Sequence, residues 1–110
     1  MKKSEQIKIN EKVLRVAETY LCETPHGRIY PKGKTYRIER FRNCNACVWV
    51  NESGYFLQSY ATIVAFIPYR GGDCYDFLRY IYGYTATSAK QISNYARDYG
   101  NGTILSWKEV

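Results

Sequence analysis

The sequence contains few of the residues that build metal sites and catalytic centres. Among its 110 residues there are one His, one Met and three Pro. Neither GxxxxGK[ST] nor GxGxxG occurs, which excludes the two common phosphate-binding loops. No run of 18 apolar residues is present, which argues against a transmembrane helix. Residues 1–5 are polar and lack the apolar stretch of a secretory signal, so we expect a cytoplasmic protein without membrane contact.

Cysteine is present, but not in a complete metal-binding pattern. Four cysteines in a chain without a secretory signal indicate a reducing compartment, where disulfides are rare. Cys44 and Cys47 have the spacing of a zinc knuckle, and a Cys₃His site would add Cys22 and His26 as ligands. A second CxxC motif is missing, and Cys47 lies in a strong strand pattern, where a buried thiol is common. We expect no cofactor, with a zinc-stabilised structural module as an alternative.

The composition is typical of one globular domain. Hydrophobic residues make up 45% and charged residues 24% of the chain, and this length leaves room for one core. The net charge is +6, and there are 12 tyrosines, whose rings pack while their hydroxyls need polar partners. We assign residues 12–110 to a single α+β domain and residues 1–11 to a flexible N-terminal arm or a short strand.

One segment has a clear helical pattern. Apolar residues recur at helical spacing over residues 89–99. Ser88 and Gln91 have the spacing of a capping box, and the glycines of residues 100–102 provide a stop. The pattern therefore predicts a helix from Ala89 to Tyr99.

Most of the remaining chain favours β-strands. Residues 46–50 and 55–67 are rich in β-branched and aromatic residues, and residues 51–54 are typical of a hairpin connection. Residues 12–23 fit a helical face or a strand, and a turn soon afterwards favours the strand. Further extended segments are predicted at residues 28–30, 74–84 and 103–107, and residues 35–42 fit a strand or one short helix. The result is an α+β fold, an antiparallel meander with the 89–99 helix packed on one face.

Most of the positive charge lies in residues 28–42, which carry a net charge of +5. Cations bind phosphate and flat rings stack on bases, so this interleaved stretch favours nucleic-acid binding. An acidic protein surface would suit the same residues, and a solvated edge strand would need no partner. If the segment is a strand, Tyr36 and Arg40 share a face. The predicted contact residues are Arg28, Tyr30, Lys32, Lys34, Tyr36, Arg37, Arg40, Phe41 and Arg42.

A second candidate surface is rich in tyrosine. In the predicted strand over residues 74–84, Tyr80, Tyr82 and Tyr84 alternate on one face. They fit cross-strand packing or a protein-binding surface equally well, because tyrosine is common among hot-spot residues. An exposed edge strand would also permit a homodimer.

No group of residues has the arrangement of a catalytic centre. His26 is the single histidine, and it has no evident partner that would make it a general base. Asp73 and Asp76 are close in sequence, but two carboxylates alone do not make a hydrolase. We therefore expect a binding protein rather than an enzyme.

Residues 55–99 contain a pattern that resembles a known family. The matched residues are Ser59, Tyr60, Thr62, Val64 and Ala65 in a strand, and Thr87 and Ser88 at a helix opening. The pattern resembles a family of short, mostly uncharacterised proteins of bacteriophages and other mobile elements. Gln91 stands where that family has His, so no role of the His carries over.

The resemblance implies a small accessory protein of a phage or mobile element that acts by binding in the bacterial cytoplasm. Such proteins often block host defence enzymes, as anti-CRISPR inhibitors do. The implied partner is a host protein, a nuclease or its nucleoprotein complex. Direct nucleic-acid binding through residues 28–42 is the alternative function.

Overall fold

The fold is built around a six-stranded sheet with a helix on each face. The structure is a computed structural model that describes residues 3–23, 29–40, 46–59, 62–69, 72–78 and 86–108. Helix α1 spans Lys3–Tyr20 and helix α2 spans Ala86–Tyr99. The strands are β1 Leu21–Glu23, β2 Ile29–Pro31, β3 Tyr36–Arg40, β4 Ala46–Val50, β5 Gly54–Ser59, β6 Thr62–Pro68, β7 Cys74–Asp76 and β8 Ile104–Ser106.

The predicted α+β fold and antiparallel meander are confirmed. The main sheet has the order β3-β4-β5-β6-β7-β8, and neighbouring strands from β3 to β7 are antiparallel. Strand β8 lies parallel to β7, because helix α2 carries the chain back between them. Strands β1 and β2 form a separate antiparallel pair. Strand β3 is therefore at one edge of the main sheet.

Helix α2 covers one face of the sheet, as predicted. Ile92, Tyr95 and Ala96 are buried and pack with strand residues such as Leu57 and Val64. The Tyr95 hydroxyl donates to the Tyr55 carbonyl oxygen at 2.7 Å, which satisfies the one polar atom of that buried side chain. This apolar face is what fixes the helix on the sheet.

Helix α1 covers the opposite face and corrects two predictions. Residues 1–11 were expected to be an arm or a short strand and residues 12–23 a strand, but Lys3–Tyr20 is one helix. Val13 and Ala17, four residues apart, are buried against Phe56, Phe66 and other sheet residues. Burial of this apolar stripe outweighs the strand propensity of its β-branched residues.

Strand β7 is much shorter than the strand predicted over residues 74–84. It ends at Asp76, whose Oδ1 accepts a hydrogen bond from the Leu78 backbone N–H at 2.9 Å. The backbone is helical at Leu78, so the aspartate turns the chain out of the sheet. The predicted strand is therefore interrupted at Leu78, and the tyrosines of the predicted ladder lie outside the described residues.

The predicted capping box of α2 is also wrong. The helix begins at Ala86, so Ser88 lies inside it rather than at its N-cap. Gln91 is buried, and its Oε1 accepts a hydrogen bond from the Ser59 hydroxyl at 2.7 Å. The predicted stop is confirmed, because Gly102 has φ +85° and its N–H donates to the Ala96 carbonyl oxygen.

The C-terminal segment is held by α1. The Asn10 amide of α1 donates to the Lys108 carbonyl oxygen at 2.5 Å and accepts from the Lys108 N–H at 3.0 Å. Gln6 donates to Asn10 at 2.8 Å and to the Ser106 carbonyl oxygen at 3.1 Å. Because the amide of the buried Asn10 bonds both the C=O and the N–H of Lys108, it pairs with Lys108 as the backbone of a neighbouring strand would.

In the described part of the chain, no helix is long and apolar enough to cross a membrane.

Candidate nucleic-acid interface

The site lies where the β2–β3 turn meets the β4–β5 hairpin, at the β3 edge of the sheet. A shallow groove of about 420 Å³ opens there. Its walls carry cations, one acid and one exposed ring. The lining residues are Lys32, Gly33, Lys34, Tyr36, Val50, Asn51 and Glu52. Three of the predicted contact residues, Lys32, Lys34 and Tyr36, thus come together in one groove.

Tyr36 and Lys34 form the most accessible part of this groove. The Tyr36 side chain is 58% exposed although it stands on a strand. The Lys34 Nζ lies 5.9 Å from the centre of the Tyr36 ring, within range of a cation–π contact. The pair presents an aromatic ring with a positive charge over it.

Lys32 also has a structural role, which the sequence did not predict. Its backbone N–H donates to the Tyr20 carbonyl oxygen at 2.9 Å, and its Nζ donates to the Glu18 carbonyl oxygen at 2.8 Å. Both acceptors are carbonyls of the last turn of α1, where a positive charge is favourable. Lys32 therefore caps the helix, and Lys34 is the freer cation of the groove.

Arg37 is exposed but faces the other side of the sheet. It pairs with Trp49, which packs with the α1 core, whereas Tyr36 pairs with Val50. A bulge between Arg37 and Glu39 then shifts the register, so that Arg40 pairs with Cys47. Val50 and Cys47 lie on opposite faces of β4, so the bulge breaks the simple alternation from which a shared face of Tyr36 and Arg40 was predicted.

Asn51 holds the two halves of the groove together. Its Nδ2 donates to the Lys32 carbonyl oxygen at 3.1 Å, while its Oδ1 accepts from the N–H groups of Ser53 at 2.7 Å and Gly54 at 3.3 Å. Its carbonyl oxygen accepts from the Tyr69 hydroxyl at 2.8 Å. The sequence predicts that Asn51 lies in a hairpin connection. The tendency of Asn to form an Asx turn was the only sequence signal that Asn51 would link the two turns.

Several predicted site residues fall outside what the structure describes. Tyr30 and Arg40 lie in β2 and β3, and nothing is described of their side chains. The predicted contacts that lie wholly outside the described residues are Arg28, Phe41, Arg42, Tyr80, Tyr82 and Tyr84.

The thiols do not form a metal site in the described residues. Cys22 lies in β1 of the small sheet and Cys47 in β4 of the main sheet, while His26 and Cys44 fall outside the described residues. Within those residues, no three His, Cys, Asp or Glu side chains are grouped to hold a metal ion. Burial raises the pKa of the Cys74 thiol, and the Asp76 carboxylate raises it further, so this thiol stays protonated at neutral pH. The Cys₃His zinc site remains a prediction.

Comparison with known proteins adds no family to this picture. No family model matches the chain, and no curated protein or solved structure is significantly similar to it.

Proposed function

We propose that the protein binds single-stranded nucleic acid through Lys34 and Tyr36 at the β3 edge of the sheet. The observation that carries the proposal is the exposed Tyr36 ring with the Lys34 ammonium over it. A base that displaces the ammonium can stack on the ring while the ammonium neutralises a phosphate. The predicted alternative function thus has the better support from geometry.

The shape of the surface favours an unpaired strand over a duplex. Bases in a duplex are stacked on each other and offer only their edges, whereas unpaired bases offer a face to an aromatic side chain. Reading a duplex groove commonly needs a basic helix. The exposed side of α2 carries Lys90 and Arg97 but also Asp98, which makes it a poor helix for that purpose.

The charge of the chain supports an anionic partner. The net charge is +6, and residues 28–42 contribute +5 of it. Within the groove, Glu52 is the one acidic lining residue, opposed by Lys32 and Lys34. The excess of cations at this edge would attract phosphate and make the affinity depend on salt.

The test is the salt dependence of binding to labelled oligonucleotides. We expect the wild-type affinity for oligo-dT to fall steeply between about 50 and 200 mM salt, as expected for phosphate contacts. Lys34→Gln should lower the slope of log K against log salt by about 0.7. Lys8→Gln is the matched control, because Lys8 is an exposed lysine of α1, which covers the opposite sheet face from Tyr36.

Two outcomes would contradict this function. One is an absence of oligonucleotide binding at 50 mM salt by folded protein. The other is an equal loss of slope in Lys8→Gln and Lys34→Gln, which would indicate unspecific attraction by the net charge.

The inhibitor of a host defence nuclease remains a prediction from the resemblance to phage proteins. It uses the same basic and aromatic residues, directed at an acidic protein surface. If oligonucleotide binding fails, stoichiometric inhibition of a nuclease that is lost in Tyr36→Ala would support it. The prediction that the chain is not an enzyme likewise awaits an experiment.

A further inference from the structure

A row of tyrosine rings continues from the groove across the same face of the sheet. We call Tyr36, Tyr55, Tyr69 and Tyr99 the tyrosine strip. Tyr36 pairs with Val50, and Val50 pairs with Tyr55, so these residues lie in line across β3, β4 and β5. The Tyr55 ring contacts the Tyr69 ring edge-on, with 5.0 Å between the ring centres. It also contacts the Tyr99 ring, with 5.1 Å between the ring centres.

The strip is accessible at both ends. Tyr36 is 58% and Tyr69 50% exposed, whereas Tyr55 and Tyr99 are half-buried between them and the core. Apart from Ile7, no other large hydrophobic side chain in the described residues is exposed to this extent. The exposed rings of Tyr36 and Tyr69 are therefore grouped on one sheet face rather than distributed over the surface as single apolar residues.

The Tyr69 ring is held in place relative to the groove. Its hydroxyl donates to the Asn51 carbonyl oxygen at 2.8 Å, and its backbone N–H donates to the Ser53 carbonyl oxygen at 3.4 Å. Asn51 in turn binds the Lys32 carbonyl oxygen of the β2–β3 turn. Asn51 thus connects Tyr69 to the turn that carries Lys32 and Lys34. Because the Tyr69 ring is already held in place, it loses little conformational entropy when a ligand binds.

We propose that the tyrosine strip is the track of a single nucleic-acid strand, with one base on Tyr36 and another on Tyr69. This inference rests on the proposed function and extends its site. Strands lie about 4.8 Å apart, so the two exposed rings are separated by about 10–15 Å. That distance corresponds to about three to five nucleotides at ~3.4 Å per stacked nucleotide. Any base can stack on tyrosine, so the tyrosine strip selects strands whose bases are unpaired and does not select a particular base sequence.

The experiment compares Tyr69→Leu with Tyr69→Phe and uses oligo-dT of two and eight nucleotides. We expect Tyr69→Leu to weaken binding of the eight-nucleotide strand by about 5- to 150-fold, the range for one stacked base. Tyr69→Phe keeps the ring and should stay within about threefold of wild type, although it loses the bond to Asn51. The dinucleotide is too short for both rings, so Tyr69→Leu should not change its binding.

The salt slope separates stacking from a general loss of the site. Tyr69→Leu removes no charge, so its slope should equal that of the wild type while Lys34→Gln lowers it by about 0.7. If Tyr36→Leu weakens binding and Tyr69→Leu does not, the strip is refuted and the proposed function stands. If wild-type protein binds neither oligonucleotide, both fail. If both tyrosine variants retain nucleic-acid binding but lose a protein partner, the strip is a protein-docking surface and the inference is wrong.

Discussion

Replacing Asn51 with alanine removes three hydrogen bonds at the β3 edge, one that joins two turns and two within the β4–β5 turn. The lost bonds run to the Lys32 carbonyl oxygen and from the N–H groups of Ser53 and Gly54. A typical hydrogen bond contributes about 0.5–1.5 kcal/mol to stability. Because Asn51 is half-buried and water replaces part of the loss, we expect Asn51→Ala to lower the free energy of unfolding by about 1–3 kcal/mol.

Asn51→Asp divides this loss between the two turns. The aspartate keeps an oxygen for the N–H groups of Ser53 and Gly54 but has no donor for the Lys32 carbonyl oxygen. It should therefore cost about 0.5–1.5 kcal/mol, clearly less than alanine. Hydrogen exchange should quicken in the β2–β3 turn in both variants, and in the β4–β5 turn only in Asn51→Ala.

Urea unfolding followed by circular dichroism measures these differences, and each kcal/mol should also lower Tm by about 4 °C at this length. Glu52→Ala is the control, because Glu52 is exposed in the same turn and should change stability by less than about 0.5 kcal/mol. If Asn51→Asp proves as costly as Asn51→Ala, the bond to Lys32 carries the whole effect. The division between the two turns would then be refuted.

Two further changes test the fold. Asn10→Ala removes both bonds to Lys108 and should lower the free energy of unfolding by about 1–2 kcal/mol in urea unfolding. Asn94→Ala removes an exposed hydrogen bond from Arg97 in α2 and should change it little. An equal effect of the two would contradict the role of Asn10. The second change is alkaline pH. Burial raises the pKa of the Cys74 thiol above 9.0 and that of the Tyr95 hydroxyl well above 10.0. Since the unfolded chain loses these protons first, the free energy of unfolding should fall as pH rises above 9, by at most about 1.4 kcal/mol per pH unit for each group. Cys74→Ala should remove the part that begins near pH 9, and an unchanged pH profile in that variant would refute the assignment to Cys74.

The strands and α2 could be predicted from sequence because their signals are local. Apolar spacing defines α2, and the β-branched run in residues 46–50 defines β4.

The wrong prediction of a strand in place of α1 came from giving strand propensity more weight than the need to bury apolar surface. Residues 63–67 are buried without alternation, which is the pattern of a strand covered on both faces. A single predicted helix could cover one face only, so this run already required a second covering element.

The site could be predicted only in part. Net charge and interleaved rings singled out Lys34, Tyr36 and Arg37, and all three are exposed. The capping of α1 by Lys32 could not be predicted, because it depends on a helix that the sequence did not reveal. The bulge in β3 was equally hidden, since register is set by pairing with β4 rather than by the strand itself.

Three of the residues on which the predicted resemblance to phage proteins depends have a structural role. Ser59, Val64 and Ala65 are buried, and Ser59 donates to Gln91, at which the predicted resemblance expects His. This pair joins the end of β5 to α2 across 32 residues of sequence. A pattern made of such residues specifies how a helix packs on two strands, because changing either partner leaves a buried polar group to be satisfied. The surface at residues 32–37 lies outside the matched segment. A protein that shares the pattern would therefore share this packing while remaining free to bind a different partner.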